Sequence, residues 1–225
     1  IFADELEGAE DFNGALQKLI QRTITAHKRI IFNGNGYDDA WIKEATEKRG
    51  LLNLRTTPDC IPAMLEKKNM DMLTGMKVFT VSELRSRYEI MMENYCKTLR
   101  IEANTMVDMV TKGILPAVEA YAADTAACAA AKKSLIPNLS CEYEISLVTR
   151  LSNLVDSIRK KTDELQQILI SLHDAENATA EAFLIRDKVL PKMAELRAVC
   201  DEAETVTAKK YWPYPTYSDL LFGVY

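Results

Sequence analysis

The sequence predicts an all-α protein: long antiparallel helices forming an elongated bundle, with a coiled-coil-like hairpin and an extended aromatic C-terminal tail. Three observations carry that expectation. Gly and Pro number only 8 and 7 in 225 residues, well below the roughly 12% usual, and turn-rich β architectures need both. Apolar residues recur at steps of 3 and 4 over long stretches, which is the helical period. Capping residues stand where several of those stripes begin.

In chain order, residues 11–27 place Leu16, Leu19, Ile20, Thr23 and Ile24 on one face of a first helix. Asn33-Gly34-Asn35-Gly36 follows, and its two glycines and two asparagines favour positive φ, so regular structure stops there. Paired glycines before a helix can cradle a phosphate. Here the preceding strand is too short, the third glycine of a dinucleotide fingerprint is absent, and Asp38 and Asp39 would repel an anion, so the loop reads as a helix-to-helix turn. A short helix over 39–48 closes at Gly50. Thr57-Pro58 offers an N-cap and a first-turn proline for a helix running to about Lys67. Residues 51–78 read as a compact, partly irregular segment in which Met64, Met70, Met72 and Met76 fill gaps.

Thr80-Val81-Ser82-Glu83 is a capping box and opens a long helix. Its stripe runs Leu84, Tyr88, Met91, Tyr95, Leu99, Ala103, Met106, Val110, then Val118 and Tyr121 into a tract in which nine of residues 117–131 are alanine. Pro116 is expected to kink this helix without ending it. The break comes around Pro137-Asn138, and Ser140 is the expected cap of the next helix. There Val148, Leu151, Val155, Ile158, Thr162, Leu165, Leu169 and Leu172 alternate steps of 3 and 4 without a slip, a coiled-coil seam. Its partner helix, 177–209, aligns Ala182, Ile185, Val189, Met193, Leu196, Val199, Ala203 and Val206 and is bent by Pro191. The connection around Asp174 is short, so the two pair antiparallel. Three stretches result: 1–79, with a helix, the Asn-Gly loop and an irregular helical segment; 80–210, the long bundle with its hairpin; and 211–225, an aromatic tail. Tyr211-Trp212-Pro213-Tyr214-Pro215-Thr216-Tyr217 is too rich in proline to be helical and is expected to pack back on the body, against 41–54 or a neighbouring subunit.

Charge and cysteine usage exclude several functions. With 28 Lys+Arg, 33 Asp+Glu and a net charge of −5, no basic face is concentrated enough for nucleic acid. No apolar run of ~18 residues suits a membrane span, and residues 1–10 carry acids where a signal peptide carries a basic region. Cys60, Cys96, Cys128, Cys141 and Cys200 form no CxxC pair, fit a reducing cytoplasm, and are expected as small apolar residues on buried helix faces. His27 and His173 stand alone at helix ends, where a cation-capable side chain suits the dipole, and offer no zinc site or triad. Arg100, Glu102, Asn104 and Asp108 interrupt the long stripe and are expected to form a buried or interfacial hydrogen-bond network. The absence of an initial Met leads us to expect a piece of a longer protein.

Four stretches carry a resemblance: His27-Lys28-Arg29-Ile30-Ile31-Phe32-Asn33-Gly34-Asn35-Gly36-Tyr37; Glu47-Lys48-Arg49-Gly50-Leu51-Leu52-Asn53-Leu54; Ser86-Arg87-Tyr88-Glu89-Ile90 with Arg100-Ile101-Glu102-Ala103-Asn104-Thr105-Met106; and the motif beginning at Tyr211. In this order they resemble the C-terminal part of type III glutamine synthetases. Between 117 and 209 only helical character matches.

The resemblance implies an intact enzyme that joins ammonia to glutamate with ATP and magnesium or manganese, through a γ-glutamyl phosphate. Its catalytic motifs lie upstream of the Asn-Gly loop, so no catalytic, cofactor-binding or metal-ligating residue is assigned here. The role implied is structural or assembly-related, with the upstream catalytic domain and neighbouring subunits of a homo-oligomer as partners and the cytoplasm as location. The alternative, from a different class, is a stand-alone helical scaffold that binds a partner through its seam and tail.

Overall fold

The computed structural model describes residues 1–223, excepting the side chains of Tyr217 and Ser218. The expected contributions of Tyr217, Val224 and Tyr225 to the tail therefore lie outside what is described. The architecture is all-α, with no strand among the described residues. No described helix is long and apolar enough to cross a membrane. The chain divides into two compact units, Ile1–Arg55 and Thr56–Tyr225.

The first unit holds α1 (Phe2–Leu6), α2 (Phe12–His27) and α3 (Asp39–Lys43). Asp11 caps α2 by accepting from the Gly14 amide at 3.0 Å. Asp38 caps α3 in the same way through Ala40. The helix expected over 39–48 is regular only to Lys43, and Glu44–Lys48 forms a π-turn closed by the bond from Arg49 N–H to the Glu44 carbonyl. Gly50 follows at φ +66°, a left-handed backbone that favours glycine.

In the second unit, α4 (Thr57–Cys60) and α5 (Lys67–Gly75) flank a 3₁₀ turn over Ile61–Leu65. The single helix expected from Thr57 to Lys67 is thus broken. Its N-cap is Thr56, Thr57 already being helical, and Pro62, at the head of the 3₁₀ turn, removes a donor that a continuing helix would need. Ile61 is 5% exposed and packs into the main core with Met92 and Cys96. The boundary between units accordingly falls at 55/56, before the capping box at Thr80. Met72 and Met76 are exposed, not gap-filling.

The main body consists of α6 (Val81–Met109), α7 (Leu115–Leu135), α8 (Glu142–Ser171), α9 (Ala178–Leu184) and α10 (Leu190–Val206). The capping box forms in full: Thr80 Oγ1 accepts from Glu83 N at 3.2 Å, and Glu83 accepts from Thr80 N at 2.7 Å. Between α6 and α7 the helix continues through a π-turn, Val110–Ile114, and between α9 and α10 through another, Ile185–Val189. Each stands just before a Leu-Pro pair, Leu115-Pro116 or Leu190-Pro191. The bond from Leu115 N–H reaches back to Val110, and that from Leu190 N–H to Ile185. The ladder is widened where the proline ring would otherwise meet the carbonyl four residues back. The prolines are absorbed into continuous helices in this way.

The helices α7 and α8 pack together, as do α8 and α10, while α9 packs on α6. The predicted seam is the core: Leu151, Ile158 and Leu165 are 0% exposed, opposite Ile185, Val189 and Leu196 at 0%. Each such side chain contributes ~1.5–3 kcal/mol on burial. On α6 the buried methionine is Met92, whereas Met91 faces solvent. The α8 cap is Cys141, not Ser140, and its side chain makes no cap bond. Asn177 caps α9 by accepting from Ala180 N at 2.9 Å. A final short helix, α11 (Tyr217–Phe222), follows the prolines of the tail.

Candidate functional site

The Asn-Gly loop of the first unit is held by one side chain. Arg49 stands at the end of the π-turn and reaches back about twenty residues, donating from Nη1 to the carbonyls of Arg29 at 3.0 Å and Ile31 at 2.7 Å. Glu44 accepts from its Nε at 2.9 Å and Nη2 at 2.6 Å. The guanidinium lies 4.9 Å from the Trp41 ring centroid, and Trp41 stacks on Phe32 with centroids 3.7 Å apart and planes at 16°. Planarity and the forked set of donors suit arginine to both contacts at once. Gly34 allows the Phe32 ring to lie against the loop, because a β-carbon there would come within 2.5 Å of Phe32 Cζ. Beyond this clasp Tyr37 is 99% exposed. Trp41, expected to receive the tail, thus has its partners within its own unit.

The clasp positions a loop and carries no nucleophile with a base. Asp38 already occupies the amide of Ala40 that an anion would seek. His27 ends α2, and His173 lies in the 3₁₀ turn after α8. No three of His, Cys, Asp and Glu come together as metal ligands among the described residues.

The four polar residues of α6 do not form one network. Arg100 Nε meets Glu181 of α9 at 2.5 Å as an ion pair off the hydrogen-bond line. Asn104 donates to the carbonyl of Arg100 in its own helix, Asp108 pairs with Lys112, and Glu102 faces water. Their spacing along the helix places them near one another, but of the four only Arg100 pairs with a neighbouring element. Three cysteines, Cys96, Cys141 and Cys200, are buried as expected, whereas Cys60 and Cys128 are exposed. Burial pushes the Cys96 and Cys200 thiols up to about 11, so neither is an activated thiolate.

The tail sits on the π-turn of the long helix. Tyr214 donates to the Met109 carbonyl at 3.1 Å. Tyr211 donates to Asp124, and its ring lies 5.0 Å from that of Tyr121. Trp212 and Tyr214 pack against the main core. The motif signalled an aromatic anchor, but nothing local in the sequence names this address.

Residues 15–133 match the family described as Glutamine synthetase C-terminal domain. A glutamine synthetase of Butyrivibrio fibrisolvens is 36% identical over 215 residues, covering 96% of this chain and 31% of its own length. A type-3 glutamine synthetase of Dictyostelium discoideum is 32% identical over 215 residues, covering 92% and 29%. A glutamine synthetase of Bacteroides fragilis is 26% identical over 222 residues, covering 92% and 29%. The chain spans about three-tenths of the length of these relatives. The matched residues include the Arg49 clasp and the Val110–Ile114 turn.

Proposed function

The chain belongs to the glutamine synthetase C-terminal domain family, and from that premise we propose that it serves as the structural and assembly region of an ATP-dependent glutamate–ammonia ligase, acting in a cytoplasmic homo-oligomer. The observation that carries this reading is the pattern of coverage: relatives named glutamine synthetase align with 92–96% of this chain, which is only 29–31% of their own length. The reaction of such a ligase uses ATP and magnesium or manganese. The described residues do not fit as a site for the metal, since no three potential metal ligands converge among them, and no catalytic step is assigned to this chain. What the chain offers is a braced loop presenting Tyr37 and a hairpin turn presenting apolar side chains, with Leu135 83% and Tyr143 71% exposed. Such surfaces suit contact with other protein.

The test compares a full-length ligase of this family with a version carrying the equivalents of Leu135→Asp and Tyr143→Asp, both at exposed positions flanking the α7–α8 turn. Mass by light scattering and glutamine formation from glutamate, ammonia and ATP are both read. Loss of the oligomer together with activity is expected; an unchanged mass and rate would overturn the assembly role. The 225-residue chain alone is expected to form no glutamine, and chelator-sensitive synthesis by it would refute the structural assignment.

A further inference from the structure

Three of the chain's eight glycines follow an asparagine, in Asn13-Gly14, Asn33-Gly34 and Asn35-Gly36. Such a pair carries a reaction of its own. The side-chain carbonyl carbon of an asparagine can be attacked by the main-chain nitrogen of the next residue, and a glycine there leaves the approach open, having no β-carbon and a freely turning backbone. The surroundings of the three pairs select among them.

Asn13-Gly14 lies in the first turn of α2, where the Gly14 N–H donates to Asp11 Oδ1 at 3.0 Å. That amide is committed, and a ring closed on it would unwind the start of the helix. At Asn33-Gly34 the Phe32 ring lies so close that a β-carbon on Gly34 would stand 2.5 Å from Phe32 Cζ. The ring is stacked on Trp41 at 3.7 Å, and Arg49 holds the Ile31 carbonyl at 2.7 Å, so this peptide turns only by displacing the clasp. Asn35-Gly36 lies beyond those restraints. Both residues are exposed, and a β-carbon on Gly36 would meet nothing within 4 Å.

Asn35 is also oriented for the reaction. Its Oδ1 accepts from the Tyr37 N–H at 3.1 Å, an Asx turn that folds the side chain back over its own main chain. The ring closed by that bond contains both reacting atoms, Gly36 N and Asn35 Cγ. The same N–H faces the oxygen on which negative charge develops when Cγ is attacked, at the outer limit of the ~2.7–3.1 Å that suits an oxyanion donor.

We propose that Asn35 is a modification site at which this chain deamidates itself, with Gly36 N as the nucleophile and the Tyr37 N–H as the oxyanion donor. Gly36 N gives up its proton to solvent and bonds to Asn35 Cγ. The Cγ–Nδ2 bond then breaks, and the nitrogen takes up a proton and leaves as ammonia. Water opens the resulting cyclic imide at one of its two carbonyls, giving aspartate or, with the main chain rerouted through the side chain, isoaspartate. Either product places a new negative charge beside Asp38 and Asp39, and the isoaspartyl form is a substrate for methyltransferases that esterify such carboxylates. The proposal stands on the loop and does not depend on the ligase reading.

The experiment incubates the purified 225-residue chain in heavy-oxygen water at neutral pH and physiological temperature, folded or in urea, and locates the incorporated oxygen by digestion and peptide mass spectrometry. In the folded chain residue 35 should incorporate it at least tenfold faster than residues 13 and 33, with isoaspartyl groups, labelled by methyl transfer, rising in step. In urea the rates at 33 and 35 should converge to within threefold. Gly36→Ala, where the methyl has room, should slow residue 35 at least tenfold with an unchanged melting temperature. Tyr37→Pro removes the donor at a position 99% exposed and should slow residue 35 at least threefold when folded and not in urea. Equal folded-state rates at 33 and 35, a preference for 35 that persists in urea, or an unchanged folded-state rate in either variant would each overturn the proposal.

Discussion

Gly113 lies directly against the hydroxyl of Tyr214, so that a β-carbon at 113 would stand 2.6 Å from that oxygen and 3.5 Å from Pro213 Cγ. The glycine sits within a helix, where it costs ~1 kcal/mol relative to alanine, and the close approach of the tail explains it. Gly113→Ala is therefore expected to lower the melting temperature despite the better helix former. Tyr214→Phe, which removes the clashing oxygen together with its bond to Met109, should shrink that loss. A coupling of at least ~0.5 kcal/mol in the double-mutant cycle is the expected result, and additivity would argue that tail and turn are independent.

The seam is expected to dominate stability. Ile158→Ala and Leu151→Ala, both at positions 0% exposed, should each cost ~2–5 kcal/mol. Leu135→Ala, at 83% exposed, should stay within ~0.5 kcal/mol. Urea unfolding followed by circular dichroism separates the two classes.

The Arg49 clasp predicts a local optical change. In a Trp212→Phe background, Trp41 emission reports on the stack with Phe32. Arg49→Lys keeps the charge but loses the fork that holds the Arg29 and Ile31 carbonyls, and Gly34→Ala drives a methyl into the Phe32 ring. Both should red-shift and quench-expose Trp41, as measured by acrylamide accessibility, while the far-ultraviolet signal of the long helices stays the same.

Acid sensitivity follows from two carboxylates. Lys192 and Lys161 hold the Glu195 carboxyl at about 2, and Lys209 with Thr216 holds Asp219 at about 2. Both values lie below the ordinary 4.5 and 3.8, so the folded state binds these protons less readily than the unfolded chain. Their stabilisation is complete above about pH 4.5 and is lost as pH falls towards 2. Glu195→Gln should flatten the decline of melting temperature over that interval.

The thiols titrate in the opposite sense. Cys96 and Cys200 are raised from 9.0 to about 11. The neutral thiols contribute fully below pH 9, and that contribution falls as pH rises through 11. With Ellman's reagent at neutral pH, exposed Cys60 and Cys128 should react first, and buried Cys96, Cys141 and Cys200 only on unfolding.

The long helices and their seam were legible because burial against a neighbouring helix imposes a 3-and-4 step on the sequence, and the Thr80–Glu83 box because both of its bonds are local. The clasp was not legible, since Arg49 finds its carbonyls 18 and 20 residues away and no periodicity encodes such a reach. Arg100 interrupts the apolar stripe, yet its partner Glu181 belongs to another helix, and helical spacing alone points instead to Asn104 and Asp108. The tail was recognised as apolar and proline-stiffened, but its seat depends on the surface that a π-turn opens, and a stripe read at 3.6 residues per turn does not separate i→i−5 bonds from i→i−4.

Those two π-turns each hold roughly one residue more than an α-helical turn of the same rise. Each is in effect an insertion stored within a helix and kept in place by the proline that follows. Deleting Thr111 alone would push Pro116 back into a regular ladder, whereas deleting it together with Pro116→Ala would leave a straight helix with its downstream face in phase. The length of this chain is therefore adjustable by one residue at two defined points, provided that the proline changes with it.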